Sequence, residues 1–204
     1  MNIIDGFAGP GEYIGGKDGS PVIIIKAIKD HKFKINSPIK LLFIEKDEDR
    51  FEFLKDKIKQ LTIPSNITYE CVCDEFTNVM NKVLAKFSAD KQKIAPTFLF
   101  IDPFGFTGIN FDIIQKIMEY DYCEVFITFM YEEINRFVDD KRLEKTFTSL
   151  YGTNKWKEAR GKNGPAQRFG ILHNAYLEQL KSIAKYVRSF KMINKSNKID
   201  YFLF

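Results

Sequence analysis

Cysteine is scarce in this chain. Its three copies, Cys71, Cys73 and Cys123, are odd in number and contain no C-x-x-C pair. That argues against a disulfide framework and leaves reduced thiols in a cytoplasm as the expectation. Histidine occurs twice, as His31 and His173, too far apart in sequence to give metal-ligand spacing, so no metal site is expected. No apolar run approaches the ~20 residues of a membrane-spanning helix, and the N-terminus lacks a secretory signal pattern. A membrane partner is therefore not expected. There is one tryptophan, no internal repeat and no low-complexity tract.

The length of 204 residues and a 45% hydrophobic content suit one soluble domain that buries its own core. Twenty phenylalanines are present, so most must be core and a single Phe marks a site only weakly. Charge is uneven. From residue 155 to the end there are 11 basic and three acidic residues, a net +8, whereas the remainder carries 20 against 24, a net −4. A basic C-terminal quarter on an acidic body points to an anionic partner such as nucleic acid, or to a solvated basic helix face.

Periodicity gives alternating strands and helices. Asn2 to Asp5, Leu41 to Glu45, Ile67 to Val72, Thr97 to Asp102 and Glu124 to Phe129 are apolar runs without polar alternation, as in strands covered on both faces. Helices are expected after Ser20-Pro21 through Ile28, over Asp47 to Leu61, from about Glu75 to Phe87, and over Asn110 to Met118. Gly161 to Pro165 reads as a loop, Ala166 to Val187 as a long helix and Ile199 to Phe204 as a sixth strand. The order implies an α/β, Rossmann-like fold with a mostly parallel sheet and helices on both faces. One domain over 1–204 is expected, with a helical, basic insertion over 138–190 before the last strand. The first strand begins at residue 2 and the last residues look mid-strand, so truncation at both ends is expected.

In such a sheet, ligands bind beyond the carboxyl ends of the strands where strand order reverses. Four strands end in acidic or Gly-rich elements: Asp5-Gly6-Phe7-Ala8-Gly9-Pro10-Gly11, Glu45-Lys46, Cys73-Asp74 and Asp102-Pro103-Phe104-Gly105. Gly6, Gly9 and Gly11 let backbone approach a ligand. The turn departs from the dinucleotide fingerprint, because Ile14 stands where a third Gly or Ala is required and the helix waits until Ser20. S-adenosylmethionine, which has no phosphate, fits that departure. Asp5, Gly6, Phe7, Ala8, Gly9, Gly11, Glu45, Lys46 and Asp74 are the candidate cofactor residues. Glu45 is suited to ribose hydroxyls and Asp74 to an adenine amino group, while both acids also suit helix capping. Asp102, Pro103 and Phe104 are the candidate catalytic element, with Asp102 accepting an N–H from a methyl acceptor. Phe106, Tyr131, Glu133 and Asn135 are candidate substrate contacts. A near match to the phosphate loop, Gly11 to Asp18, carries Asp18 where a hydroxyl residue would hold magnesium, so nucleotide hydrolysis is disfavoured.

Asp5 to Gly11, Gly19-Ser20-Pro21, Phe43 to Asp47, Asp102 to Gly105, Phe129 to Phe137, Leu150 to Thr153 and Trp156 resemble the three-Cys-motif partner protein family (TcmP). The resemblance spans most of the chain. It implies a class I methyltransferase-like fold in a bacterial protein, a separate partner carrying the three-Cys motif, and members longer at both ends. Asp102 to Gly105 is also similar to the Asp-Pro-Pro-aromatic motif of nucleic-acid amino methyltransferases, with Phe104 in place of the second Pro. The expectation is thus an S-adenosylmethionine-dependent enzyme methylating a nucleic-acid nitrogen. The basic stretch Lys155, Lys157, Arg160, Lys162 and Arg168, with Trp156, is expected to track phosphates. The alternative is a non-catalytic Rossmann-like module acting with the three-Cys partner.

Overall fold

The computed structural model describes residues 1–33, 35–90, 94–162 and 164–204. Asn163 of the expected 161–165 loop lies outside them. The chain forms two units, 1–102 with 121–124, and 103–120 with 125–204.

In the first unit, β1 (Asn2–Asp5) leads into a small antiparallel hairpin, β2 (Glu12–Tyr13) and β3 (Lys17–Asp18), and then α1 (Ser20–Lys29). Next come β4 (Ile39–Glu45), α2 (Glu48–Lys59), β5 (Ile67–Cys73), α3 (Phe76–Asp90) and β6 (Thr97–Ile101). The strands lie in the order β5-β4-β1-β6, all parallel, with Asp5 level with Phe43 on one side and Phe100 on the other. Pleating sends Ile3, Leu41 and Phe43 to one face, where they pack with Ile25 of α1 and Leu54 and Ile58 of α2. The β5-to-β6 crossover runs back past β1, so right-handedness carries α3 over the opposite face. Its Phe76, Val79, Met80 and Leu84 are buried. Strand order therefore reverses at β1, the switch point of an open α/β sheet.

The second unit holds α4 (Phe111–Met118), most of β7 (Cys123–Phe129), α5 (Tyr131–Phe137), α6 (Glu144–Tyr151), a 3₁₀ turn over Lys155–Ala159, and α7 (Pro165–Ile183). Two last strands come after α7, β8 (Phe190–Ile193) and β9 (Ile199–Leu203), in the order β7-β9-β8 with antiparallel pairing. Two expectations are corrected here. The long helix stops at Ile183 rather than Val187, where Ala184 turns extended. The chain then supplies β8, between the expected helix and the expected last strand, where no element was expected. β8 is held by its antiparallel pairing with β9. Among the described residues, no helix is long and apolar enough to cross a membrane.

Candidate functional site

The tips of β1, β4 and β6 in the first unit bring three acids together. Asp5 ends β1 and is fully buried. Its Oδ1 accepts the Phe7 N–H at 3.2 Å and its Oδ2 accepts the Ser20 hydroxyl at 2.6 Å. Those bonds tie the turn to the first residue of α1. The turn is also stitched to both neighbouring strands, by Gly6 N–H to the Phe100 carbonyl at 2.9 Å and Ala8 N–H to the Ile44 carbonyl at 2.8 Å.

Glu45 ends β4 and is buried. One of its oxygens accepts the Gly9 N–H at 2.9 Å and the other accepts the Asp47 N–H at 2.9 Å. The glycine turn and the acid expected beside it are therefore in direct contact. A carboxylate offers about four lone-pair directions, so each Glu45 oxygen retains one for a further donor. Gly9 has φ +60, and a Cβ built there would meet nothing within 4 Å. The space at Gly9 is open.

Burial pushes the Asp5 carboxyl from 3.8 up to about 6, and the charges of Asp102 and Glu45 add to that rise, while the bonds from Ser20 and Phe7 oppose it. The native state therefore holds a proton that the unfolded chain has released between about pH 4 and 6. Stability contributed by Asp5 is full below that window and is lost as pH rises through it. The rise to about 6 corresponds to about 3 kcal/mol. Asp5→Asn keeps an acceptor for Phe7 and carries no charge. The stability difference between the variant and the wild type, from denaturant melts, is expected to move in the variant's favour by ~2–3 kcal/mol between pH 4 and pH 7.5. A difference that does not change with pH would mean that Asp5 is already ionised at pH 4.

The other candidate residues fare differently. Asp74 accepts from Glu75 N–H, the Asn78 amide and Lys82, and these partners hold its carboxyl down at about 2. This is the capping geometry, and an adenine amino group would have to compete with three donors already in place. Lys46 is exposed on the solvent side of the β4 tip. Phe7 packs at 5.4 Å from the Phe76 ring. Gly11 accepts the Gly19 N–H through its carbonyl at 2.8 Å, closing the base of the β2–β3 hairpin. Asp18 pairs with Lys26 at 2.5 Å, and Glu12 pairs with Lys57, so the hairpin stem is tied to α1 and α2. The stretch that nearly matched a phosphate loop is this hairpin, with Gly15 and Gly16 at its tip, and α1 opens only at Ser20, after β3. Sequence reasoning passed over it, although Gly-Gly between two short polar segments is a hairpin signal.

In the second unit, Pro103 is buried and Phe104 is 74% exposed. Gly105, at φ +93, leaves room for Glu133, whose Oε2 would lie 2.8 Å from any Cβ at that position. Glu133 is thus seated on the Asp-Pro-Phe-Gly turn. Asn135 has a buried side-chain oxygen with no partner among the described residues, and its backbone carbonyl accepts from Arg168 at 3.2 Å. Two expected substrate contacts are corrected. Phe106 stacks on Phe147 at 5.0 Å, and Tyr131 meets Phe169 and Phe202 edge-on; both are buried. They are core aromatics, because the apolar faces of α5, α6 and α7 close over them.

The expected phosphate track is corrected as well. Trp156 is fully buried. Lys157 and Arg160 both bind Glu144, at 2.6 and 2.7 Å, Lys155 binds Glu178 at 2.9 Å, and Arg168 binds Asp139 at 2.5 Å. Of that basic run, Lys155, Lys157, Arg160 and Arg168 are taken up by internal pairing, while Lys162 is exposed and enters no ion pair among the described residues. Among the described residues, no group of three His, Cys, Asp or Glu side chains is placed to hold a metal ion.

No family model matches the chain, and no curated protein matches it. Among solved structures, a SAM-dependent methyltransferase of Methanosarcina mazei aligns with 99% of this chain and 89% of its own, at 8% identity and a TM-score of 0.41. The O-MT segment of StiE, residues 942–1257, aligns with 100% of this chain and 66% of its own, at 14% identity and a TM-score of 0.34.

Proposed function

We infer that the chain is an S-adenosylmethionine-dependent methyltransferase whose acceptor is a nitrogen of a nucleic-acid base. The observation that carries the reading is the 2.9 Å hydrogen bond from Gly9 N–H to Glu45. It fixes a glycine turn against an acid at the neighbouring strand tip, at the switch point, with open space at Gly9. A ribose presents two adjacent hydroxyls, and the remaining lone pairs of Glu45 suit them. Gly9 brings backbone close without a side chain in the way. When bound, S-adenosylmethionine supplies an electrophilic methyl group, so orienting the acceptor supplies most of what the protein must add. Asp102, at the tip of β6, lies close enough to Asp5 for their charges to interact. Its role in this reading is to accept an N–H from the acceptor nitrogen. Asp74 is assigned to α3, and the adenine contact is left to the backbone and apolar surface beside it. The resemblance to TcmP adds a separate three-Cys-motif protein as partner.

Gly9→Ala separates folding from binding. A non-glycine residue in left-handed backbone costs roughly 1–2 kcal/mol, which a stable domain survives. The new methyl group projects into the space assigned to the cofactor. Calorimetric titration with S-adenosylhomocysteine is expected to show affinity reduced at least about tenfold in a folded variant. Unchanged affinity would remove the turn from the site. Transfer of labelled methyl to DNA or RNA then tests catalysis, and binding without transfer would favour the non-catalytic module.

A further inference from the structure

Most of the cations of the C-terminal quarter that remain after internal pairing lie together, Lys162 and Lys181 being the others. Residues 184–199 contain Lys185, Arg188, Lys191, Lys195 and Lys198 and no acidic residue. All five are exposed, and none enters an ion pair among the described residues. Aromatic groups are interleaved with them: Tyr186 is 80% exposed and Phe190 63% exposed.

The strand register sorts these groups onto faces. Lys191 is level with Phe202, which stacks on Phe169 at 5.7 Å and meets His173 at 4.6 Å, so that face belongs to α7. Phe190 and Met192 are level with Leu203 and Tyr201 on the other face. Phe190 and Tyr201 are diagonal neighbours there, the relation that puts side chains roughly 7–8 Å apart. The ribbon thus turns a partly exposed aromatic and apolar strip away from α7, bordered by unpaired positive charge.

We propose that β8, β9 and the lead-in over 184–189 form a binding surface for single-stranded nucleic acid. Stacking on aromatic side chains together with a cationic track is the chemistry that holds unpaired bases and their phosphates. Duplex fits less well, because its bases are not available to stack. An anionic bilayer fits less well too, because the ribbon's tip is Asn194-Lys195-Ser196-Asn197 and its apolar groups lie along the strands instead. The inference rests on the preceding reading only in naming this as the surface that holds the acceptor strand; the binding itself requires no cofactor.

The test is fluorescence anisotropy with labelled oligonucleotides of about 12 nucleotides, within the usual site size for such surfaces. The arms are single-stranded DNA, single-stranded RNA and duplex, with phosphatidylserine vesicles in a parallel sedimentation assay. The full chain is expected to bind a single-stranded form more tightly than duplex, with log K falling against log salt at a slope of about −3 for four phosphate contacts. The R188E/K195E double variant is expected to lose at least about tenfold, and Phe190→Ala about 5- to 150-fold. Charge reversal at Lys59, exposed on α2, serves as control and is expected to change little. Equal binding by R188E/K195E, duplex bound as tightly as single strands, binding to vesicles alone, or no binding at all would each overturn the proposal. S-adenosylhomocysteine affinity measured on the same variants is expected to be unchanged, so failure here and failure of the cofactor reading remain distinguishable.

Discussion

Glu45→Ala is expected to weaken S-adenosylhomocysteine binding by about 10²- to 10⁴-fold. Hydrogen bonds to a charged group contribute about 1.5–3 kcal/mol each, and two ribose hydroxyls lose theirs together. The resulting ~3–6 kcal/mol converts at 1.4 kcal/mol per factor of ten. The side chain has a second task, because its oxygens also receive Gly9 N–H and Asp47 N–H. Truncation leaves both donors without an acceptor and frees the turn to move. Glu45→Gln helps to apportion the two tasks. It keeps one acceptor oxygen but turns an NH₂ toward either Gly9 or Asp47, so an intermediate loss is expected, accompanied by a lower melting temperature. Calorimetry at pH 7.5, with the folded state checked by circular dichroism, reads both effects. An alanine variant that is folded and binds as tightly as the wild type would contradict the assignment of Glu45 to the site.

The strand tips were legible because two signals coincide there. Apolar runs such as Leu41 to Ile44 announce a buried strand, and a charged or Gly-rich residue at its end cannot continue it. That pattern placed Asp5, Glu45 and Asp102 at the tips of β1, β4 and β6, the strands at which the order reverses. The parallel order came from alternation and handedness. The pairing of each acid was not legible. Glu45 and Asp74 each stand at a strand end before a helix, and in sequence they look equivalent. The difference lies in the helix after each acid. Asn78 and Lys82 stand one and two turns along α3, where both reach back to Asp74. Glu45 has no such partners on α2, where Asp47 takes the cap instead. Spacing along the next helix therefore carried information that strand-end position did not.

Aromatic residues show a different limit. Phe104 and Phe106 are two residues apart in one turn, yet the first is exposed and the second is core. Periodicity assigns faces within a helix or strand, but an irregular turn has no period to read. The same holds for the basic quarter. Charge counting located +8 after residue 154 correctly, but it could not separate cations answered by Glu144, Glu178 and Asp139 from those on the β8–β9 ribbon. Acids that lie close by in the fold, such as Glu144, are distant in sequence from the lysines and arginines they neutralise.

Trp156→Ala is expected to destabilise the second unit by about 3–5 kcal/mol, the range for removing a large buried aromatic. The indole is fully buried and lies 5.0 Å from Phe147 and 6.3 Å from Tyr151, with the Arg160 guanidinium 4.7 Å from its ring centre. Removal opens a cavity and also strips Arg160 of its cation–π face, while Arg160 stays tied to Glu144 and the Val138 carbonyl. The indole N–H has no partner among the described residues. Trp156→Phe therefore gives up no hydrogen bond and is expected to cost considerably less than alanine. Denaturant melts of the two variants measure the difference. Because Trp156 is the chain's one tryptophan, its fluorescence is an independent check. A buried indole emits at short wavelength and resists quenching by acrylamide, and adding an oligonucleotide should leave both properties unchanged. Strong quenching by an oligonucleotide, together with an alanine variant as stable as the wild type, would return Trp156 to the surface and restore the phosphate track that its burial removes.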